Sequence, residues 1–590
     1  MTTKKQAYGP HPEEVNGSWP LRSTIRGTRY GSACGHHLGA QTAFEVLASG
    51  GNAVDAGVAA GMVEAVAQPD QVNFAGVAPI MIFDSKQAEI VTISGLGTWP
   101  AAVSSEFFIR EHNGSIPPGL LSTVVPGAPA AWLAALERYG TMSFGDVAAN
   151  AVSFAGNGFA IHAFTAAEIR KRQDHYRKWP ENERIYLPGG APPIPGDIFI
   201  QSDLADTLRY MIDCETAASS KGRSSALQAA HDAFYRGDIA TEIVRYHREN
   251  GGLMAFEDMA GFEARIEPPA TATYKDLDIF TCGFWSQGPT LLQALNILKG
   301  VDLKSLGHNS TAYLHTLAEA LKLAFADRHA YYGDPSFIDV PASVLLSDAY
   351  ATSRRDQIDP DKAWPAMPPA GVIGSDPDLR HRLGAPKPSD KDLEPVPDTS
   401  IVCTLDKNGN VFAASPSDPS YNTEVIPGLG LCPSSRGCQS WADPSHPSSV
   451  APGKRPRLTP MPAIALHDGR PALVWGTPGG DVQPQAMLQA FLNMIEFDMD
   501  PQNAVEAPRF VSRSMPDSFE PHHYFPGQLN LEAKIPKETG EALSAMGHDV
   551  QWWPKTTSRA GGVCAIRIDT AAGRFDAAAD FRRCGYAIGW

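Results

Sequence analysis

Positive charge is scarce in this chain. Lys and Arg total 49 against 65 Asp and Glu, which leaves a formal charge of −16. A surface of that sign repels polyanions, so neither nucleic acid nor an anionic membrane is expected as a partner. Long apolar runs are missing as well. Stretches such as residues 77–83 are far too short to span a bilayer. Residues 1–15 hold no apolar signal core, which favours the cytoplasm. Cysteine is sparse, eight in 590 residues, and lacks paired ligand spacing. Cys432 and Cys438 are near neighbours, but reduced buried thiols are expected there too. No metal or cofactor is therefore expected. Repeats and low-complexity segments are also absent.

What is present is a globular composition, 43% hydrophobic and 19% charged, long enough for one large domain or several small ones. Residues 41–68 read as two helices, with Gly50-Gly51 ending the first and Asn52 capping the second. Residues 77–83 and 90–93 read as paired strands. Helices are expected over 126–139, 225–236, 289–299 and 484–497, and a long one follows a cap at Asn309 or Ser310. Residues 168–184 read as a charged, solvated segment. Hairpins are expected around Asn408-Gly409, Asp468-Gly469 and Ala572-Gly573. Residues 415–462 are rich in Pro, Ser and Gly and read as loops.

Two stretches carry chemistry. A polar, proline-studded segment, 375–397, runs into Asp398-Thr399-Ser400-Ile401-Val402-Cys403-Thr404-Leu405. Thr399 thus stands where a tether meets the first residue of a buried-looking strand. A chain cut before Thr399 would expose a hydroxyl beside its own free amine, a nucleophile carrying its own base. A threonine that merely begins a strand fits the same pattern. The second stretch, Gly476-Thr477-Pro478-Gly479-Gly480-Asp481, precedes an apolar helix. Glycines there offer free N–H groups to an oxyanion, or simply make a strand-to-helix turn.

The order and spacing of several stretches resemble the gamma-glutamyltranspeptidase family of N-terminal-nucleophile hydrolases. They are residues 50–56 (GGNAVDA), 125–127 (VPG), 323–328 (LAFADR) with 333–335 (GDP), 452–456 (PGKRP), 478–480 (PGG) and 579–583 (ADFRR). The resemblance covers nearly the whole chain. It implies an α+β fold, the four-layer αββα sandwich. It also implies self-cleavage between Asp398 and Thr399 into a large subunit, 1–398, and a small subunit, 399–590, that stay together in one αββα domain. A dimer of such pairs is possible on the same grounds. By alignment Thr399 is the nucleophile, Ser417 the hydroxyl beside it, and Gly479 and Gly480 the oxyanion pair.

The glutamyl pocket of the family departs from its pattern. No arginine occurs in Ser94-Gly95-Leu96-Gly97-Thr98-Trp99-Pro100. Leu458-Thr459 replaces a serine pair, Pro419 an asparagine, and Ser434 to Gln439 the acidic residues. Arg436-Gly437 and the run from Gly479 to Gln485 are similar to the acylase and amidohydrolase branch, known for oxamate amidohydrolase and glutaryl-cephalosporin acylases. Arg436, Asp481 and Gln483 are the expected substrate-binding residues. Arg436 would meet a substrate carboxylate or serve a structural ion pair. Trp99, Trp441 and Tyr421 read as core aromatics before pocket walls. The expected activity is hydrolysis of a small non-glutamyl amide through an acyl-enzyme. The alternative is a glutamyl hydrolase or transpeptidase with a rebuilt pocket. A proline at position 480 is expected to harm turnover more than folding, because it removes an N–H.

Overall fold

A computed structural model describes residues 20–374, 386–389 and 398–590. Most of the expected tether, residues 375–385 and 390–397, lies outside them. Two seven-stranded sheets form the centre. One runs Ile25–Gly27, Arg574–Ala579, Cys564–Asp569, Arg470–Gly476, Ala463–His467, Leu277–Thr281, Ala270–Tyr274. The other runs Tyr586–Gly589, Gly31–Cys34, Val402–Leu405, Val411–Ala414, Ile80–Asp84, Glu89–Ile93, Ile266–Glu267. Neighbours in both are antiparallel.

Side-chain alternation sorts these strands into three cores, as a period of two requires. Cys403, Val411, Ala413, Met81, Ile464 and Val474 point between the sheets. Val402, Phe412, Ile80 and Ile82 point outward to the helices Ala53–Ala67 and Ala128–Tyr139. Ala463, Ala465, Leu473 and Trp475 face Gly288–Leu298, Thr311–Tyr331 and Gln483–Ile495 on the opposite side. The result is helix, sheet, sheet, helix: the expected αββα sandwich.

The helix Ala53–Ala67 is buried along its whole length. Asn52 caps it as expected, in a capping box with Asp55. Its small residues matter, because a side chain at Gly57 would overlap the Phe412 ring and one at Gly61 the Trp132 ring. Ser310 caps the long helix Thr311–Tyr331. Two expectations need correction. Residues 168–184 are not simply solvated: Ile169, Arg172, Tyr176 and Asn182 are buried. Arg172 lies over the Tyr421 ring at 4.6 Å, so the segment packs by its apolar and stacking surfaces. Nor does Thr399 begin the strand, which starts at Val402. All eight cysteines are unpaired. Among the described residues no helix is long and apolar enough to cross a membrane.

Candidate active site

Strand Val402–Leu405 is clamped between Gly31–Cys34 and Val411–Ala414. The pairing continues backward through two hydrogen bonds. Gly35 N donates to Ile401 O at 2.8 Å, and Ser400 N donates to Pro416 O at 2.8 Å. Thr399 N donates to Gln71 O at 3.1 Å. Thr399 is fully buried, with φ +73°. That left-handed conformation is a marked outlier for a β-branched residue.

Ser417 lies just beyond the partner strand Val411–Ala414. Its N donates to Val77 O at 2.9 Å, which leaves its hydroxyl 2.7 Å from Thr399 Oγ1. Thr399 Oγ1 also donates to Asp398 Oδ1 at 3.1 Å. Arg436 Nη2 donates to Ser417 Oγ and lies 2.8 Å from Asp398 Oδ2. A guanidinium only donates and a carboxylate only accepts. The order is therefore set: Arg436 to Ser417, Ser417 to Thr399, Thr399 to Asp398. Arg436 is 1% exposed and its Nε lies 3.7 Å from Asp418 Oδ2. Burial pushes the Asp418 carboxyl up, and Arg436 works against that. Ser434 Oγ and the Ser435 N and Oγ donate to the same carboxylate.

Gly479 and Gly480 follow strand Arg470–Gly476 with φ +126° and +57°. Only glycine takes the first without strain. Neither N–H meets an acceptor among the described residues, as an oxyanion site requires. Gln287 holds the turn from behind, donating to Gly480 O at 2.8 Å, and is itself held by Arg328 at 2.8 Å. Gly480 borders a cavity of about 50 Å³ shared with Asp517, Phe519 and His523, room for little more than water. Ser389 lies beside it, bonded to Tyr524 O and His523 Nδ1.

Asp481 and Gln483 sit in the supports of this turn. Asp481 pairs with Arg328 and accepts from Ser518 N and Oγ, both at 2.7 Å. Gln483 Oε1 accepts from Met461 N at 3.1 Å. Sequence reasoning gave no role to Asp418, Glu64 or Arg583. Glu64 accepts from Ser400 Oγ at 2.9 Å and from His36 N at 3.0 Å. Arg583 Nη1 donates to Asp398 O at 3.2 Å. Arg583 belongs to the ADFRR stretch, 579–583; Glu64 and Asp418 carry no sequence signal, being isolated acids in apolar or loop stretches.

Residues 39–590 match the family model for gamma-glutamyltranspeptidase. The chain belongs to the gamma-glutamyltranspeptidase family. A glutathione hydrolase-like proenzyme of Bacillus subtilis is 29% identical over 96% of this chain and 100% of its own. An acylase proenzyme of a Pseudomonas species is 32% identical over 90% of this chain and 89% of its own. The crystal structure of a cephalosporin acylase from Bacillus halodurans superposes with a TM-score of 0.83 and 26% identity, covering 100% of this chain and 99% of that one. The chain is thus an amide hydrolase of the N-terminal-nucleophile class.

The stretches expected to depart from the family pattern are tightly packed. A Cβ at Gly97 would lie 1.5 Å from Val125 O, so this backbone admits no side chain there. Leu458 is buried between the sheets. Thr459 and Gln439 bond each other, Nε2 to Oγ1 at 2.7 Å and N to Oε1 at 3.3 Å. Trp99 donates to Ser440 Oγ at 3.0 Å within a small core, and Trp441 stacks between His446 and His522. Elsewhere His315, Glu319 and His548 bring ligand atoms within 4.8 Å, a trio sequence spacing did not reveal. Lys322 already pairs with Glu319 at 2.8 Å.

Proposed function

We propose that the chain cuts itself between Asp398 and Thr399 and then hydrolyses small non-glutamyl amides whose acyl part carries a carboxylate. The observation that carries this reading is Arg436: a buried cation at the nucleophile, balanced by the side chain of the residue at the cut. Cutting turns Asp398 into a chain end. When it withdraws, a substrate carboxylate takes its place opposite Arg436. Relatives named as proenzymes and acylases support both halves of the reading.

In the cut enzyme the Thr399 α-amine has an ordinary pKa near about 7.7, suited to taking and returning a proton at neutral pH. It takes the hydroxyl proton as Oγ1 attacks the amide carbonyl. Ser417 donates to that oxygen and steadies it. Gly479 and Gly480 N–H hold the tetrahedral oxyanion, each worth about 3 kcal/mol. The amine returns the proton to the leaving nitrogen. Water, or an amine, then takes the acyl group.

A glutamyl group brings an α-amine to which Ser434 to Gln439 contribute no acid; the Asp418 carboxylate there is already engaged by Ser434, Ser435 and Arg436, and the amine faces Arg436. An unpaired charge there costs several kcal/mol, about a thousandfold in kcat/KM. The relative named glutathione hydrolase-like supports the second reading, a rebuilt glutamyl pocket. The test measures kcat/KM for oxamate, glutaryl anilide and γ-glutamyl anilide side by side. One of the first two is expected to exceed the third at least a hundredfold. A glutamyl value of about 10⁴ M⁻¹s⁻¹ or above supports the second reading and overturns the first.

A further inference from the structure

The geometry points to a second catalytic apparatus, used once in the life of each chain. Arg583 holds the oxyanion of the self-cleavage step, and the Asp398 carboxylate is its base. This rests on the cleavage before Thr399 proposed above.

Arg583 follows strand Arg574–Ala579 and is 6% exposed. Its Nη1 donates to the Asp398 carbonyl oxygen at 3.2 Å and to Gln71 Oε1 at 2.9 Å. Its Nε donates to Ser558 O at 3.3 Å. Each acceptor is a neutral oxygen. The neighbouring Arg582 differs: it meets Glu532 at 2.6 Å and Asp580 at 3.1 Å. The carboxylates of Asp398, Glu168 and Asp70 act on it at longer range, but no carboxylate is among these hydrogen-bond acceptors, and a buried guanidinium so placed is costly. Negative charge developing on the carbonyl it already touches supplies an anionic acceptor in direct contact. Gln71 ties the two sides together. Its side chain holds Arg583, and its backbone oxygen holds the Thr399 N–H that becomes the leaving amine.

Thr399 Oγ1 attacks the Asp398 carbonyl carbon while its proton passes to Asp398 Oδ1, 3.1 Å away. The carbonyl oxygen becomes an oxyanion facing Arg583. The C–N bond breaks, and the proton on the Asp398 carboxyl moves to the Thr399 nitrogen. This leaves an ester between the Asp398 acyl group and Thr399 Oγ1. Water hydrolyses that ester, freeing the Asp398 α-carboxylate and restoring the Thr399 hydroxyl beside a free amine. Arg436, 2.8 Å from Asp398 Oδ2, orients the base. Gly479 and Gly480 serve the later turnovers, whose carbonyl comes from substrate.

The experiment follows intact mass over time after cell-free synthesis of the full chain. Wild type is expected to release a fragment beginning Thr-Ser-Ile-Val. Arg583→Gln is expected to slow its release about 10²–10³-fold, the loss typical of an oxyanion donor. Arg583→Lys, which keeps the cation, is expected to stay within about tenfold of wild type, and Asp398→Asn to slow at least as much as Arg583→Gln. Folding is judged by melting temperature against uncut Thr399→Ala. Cleavage by Arg583→Gln or Asp398→Asn within threefold of wild type overturns the assignment of that residue. If Arg583→Gln does not fold, Arg583→Lys decides: a folded lysine variant more than a hundredfold slower overturns the charge role. Wild type left uncut, or cut elsewhere, instead removes the cleavage reading beneath it.

Discussion

Single atoms decide much at this site. Among the described residues Ser417 Oγ is the one donor to the Thr399 hydroxyl oxygen, at 2.7 Å. Removing it leaves Thr399 Oγ1 without a donor in a buried place, a loss of about 1.5–3 kcal/mol for a bond to a developing charge. Ser417→Ala is therefore expected to lower kcat about 10–100-fold while the protein still folds. Unchanged kcat would remove Ser417 from the mechanism. Gly480 behaves differently from what its sequence suggests. Its φ of +57° lies far outside the proline range near −65°. Gly480→Pro thus harms folding as well as the oxyanion site. A lowered melting temperature and a loss of soluble protein are expected. A variant melting with wild type would show that the turn can re-form around a negative φ.

Elements were more legible than the site they carry. The glycine stops, the Asn52 cap and the three hairpins announced themselves through turn and capping chemistry, which acts over a few residues. Thr399, Gly479 and Gly480 stood out in local pattern, but only the family resemblance chose their catalytic roles over a plain strand start and an ordinary turn. Asp398, Arg436 and Arg583 meet across long stretches of chain, and no local pattern encodes that meeting. The lack of an arginine in residues 94–100 was visible in the sequence. The Val125 carbonyl that leaves no room for a side chain at Gly97 was not. The helix Ala53–Ala67 carries a further consequence. It buries Glu64, and burial pushes that carboxyl up to about 8. An ordinary Glu titrates near about 4.3. Between those values the unfolded chain sheds a proton that the folded chain keeps, so stability falls as pH rises. Asp70 and Asp517, each pushed up to about 7 chiefly by burial, act in the same sense. Buried histidines held below their ordinary range, such as His247 and His522, act in the opposite sense below about pH 6.5, so the test is the difference: from pH 5 to pH 8 the melting temperature of wild type is expected to fall relative to that of Glu64→Gln. Equal slopes would mean that Glu64 is ionised in the fold.

At the scale of the whole molecule, the proposed cut does not coincide with any structural seam. Val402–Leu405 pairs with Gly31–Cys34, Val411–Ala414 with Ile80–Asp84, and Ala463–His467 with Leu277–Thr281. Segments before and after residue 398 therefore share both sheets and all three main cores. The cut pair is expected to elute together and melt in one transition, separating only in denaturant. Two transitions, or separation in native buffer, would show that the halves hold their own cores.

Trp590 is stitched to the segment 28–30. Trp590 O accepts from Thr28 N at 2.9 Å and Arg29 N at 2.7 Å, and Trp590 N donates to Tyr30 O at 3.0 Å. Residue 590 and the segment from residue 28 therefore lie side by side, whatever their separation in sequence. A permuted chain could open at Thr399, run to Trp590, cross a short glycine-serine bridge to Pro20 and stop at Asp398. Once its initiator methionine was trimmed, it would be born with the amine already free, and maturation would be a matter of translation alone.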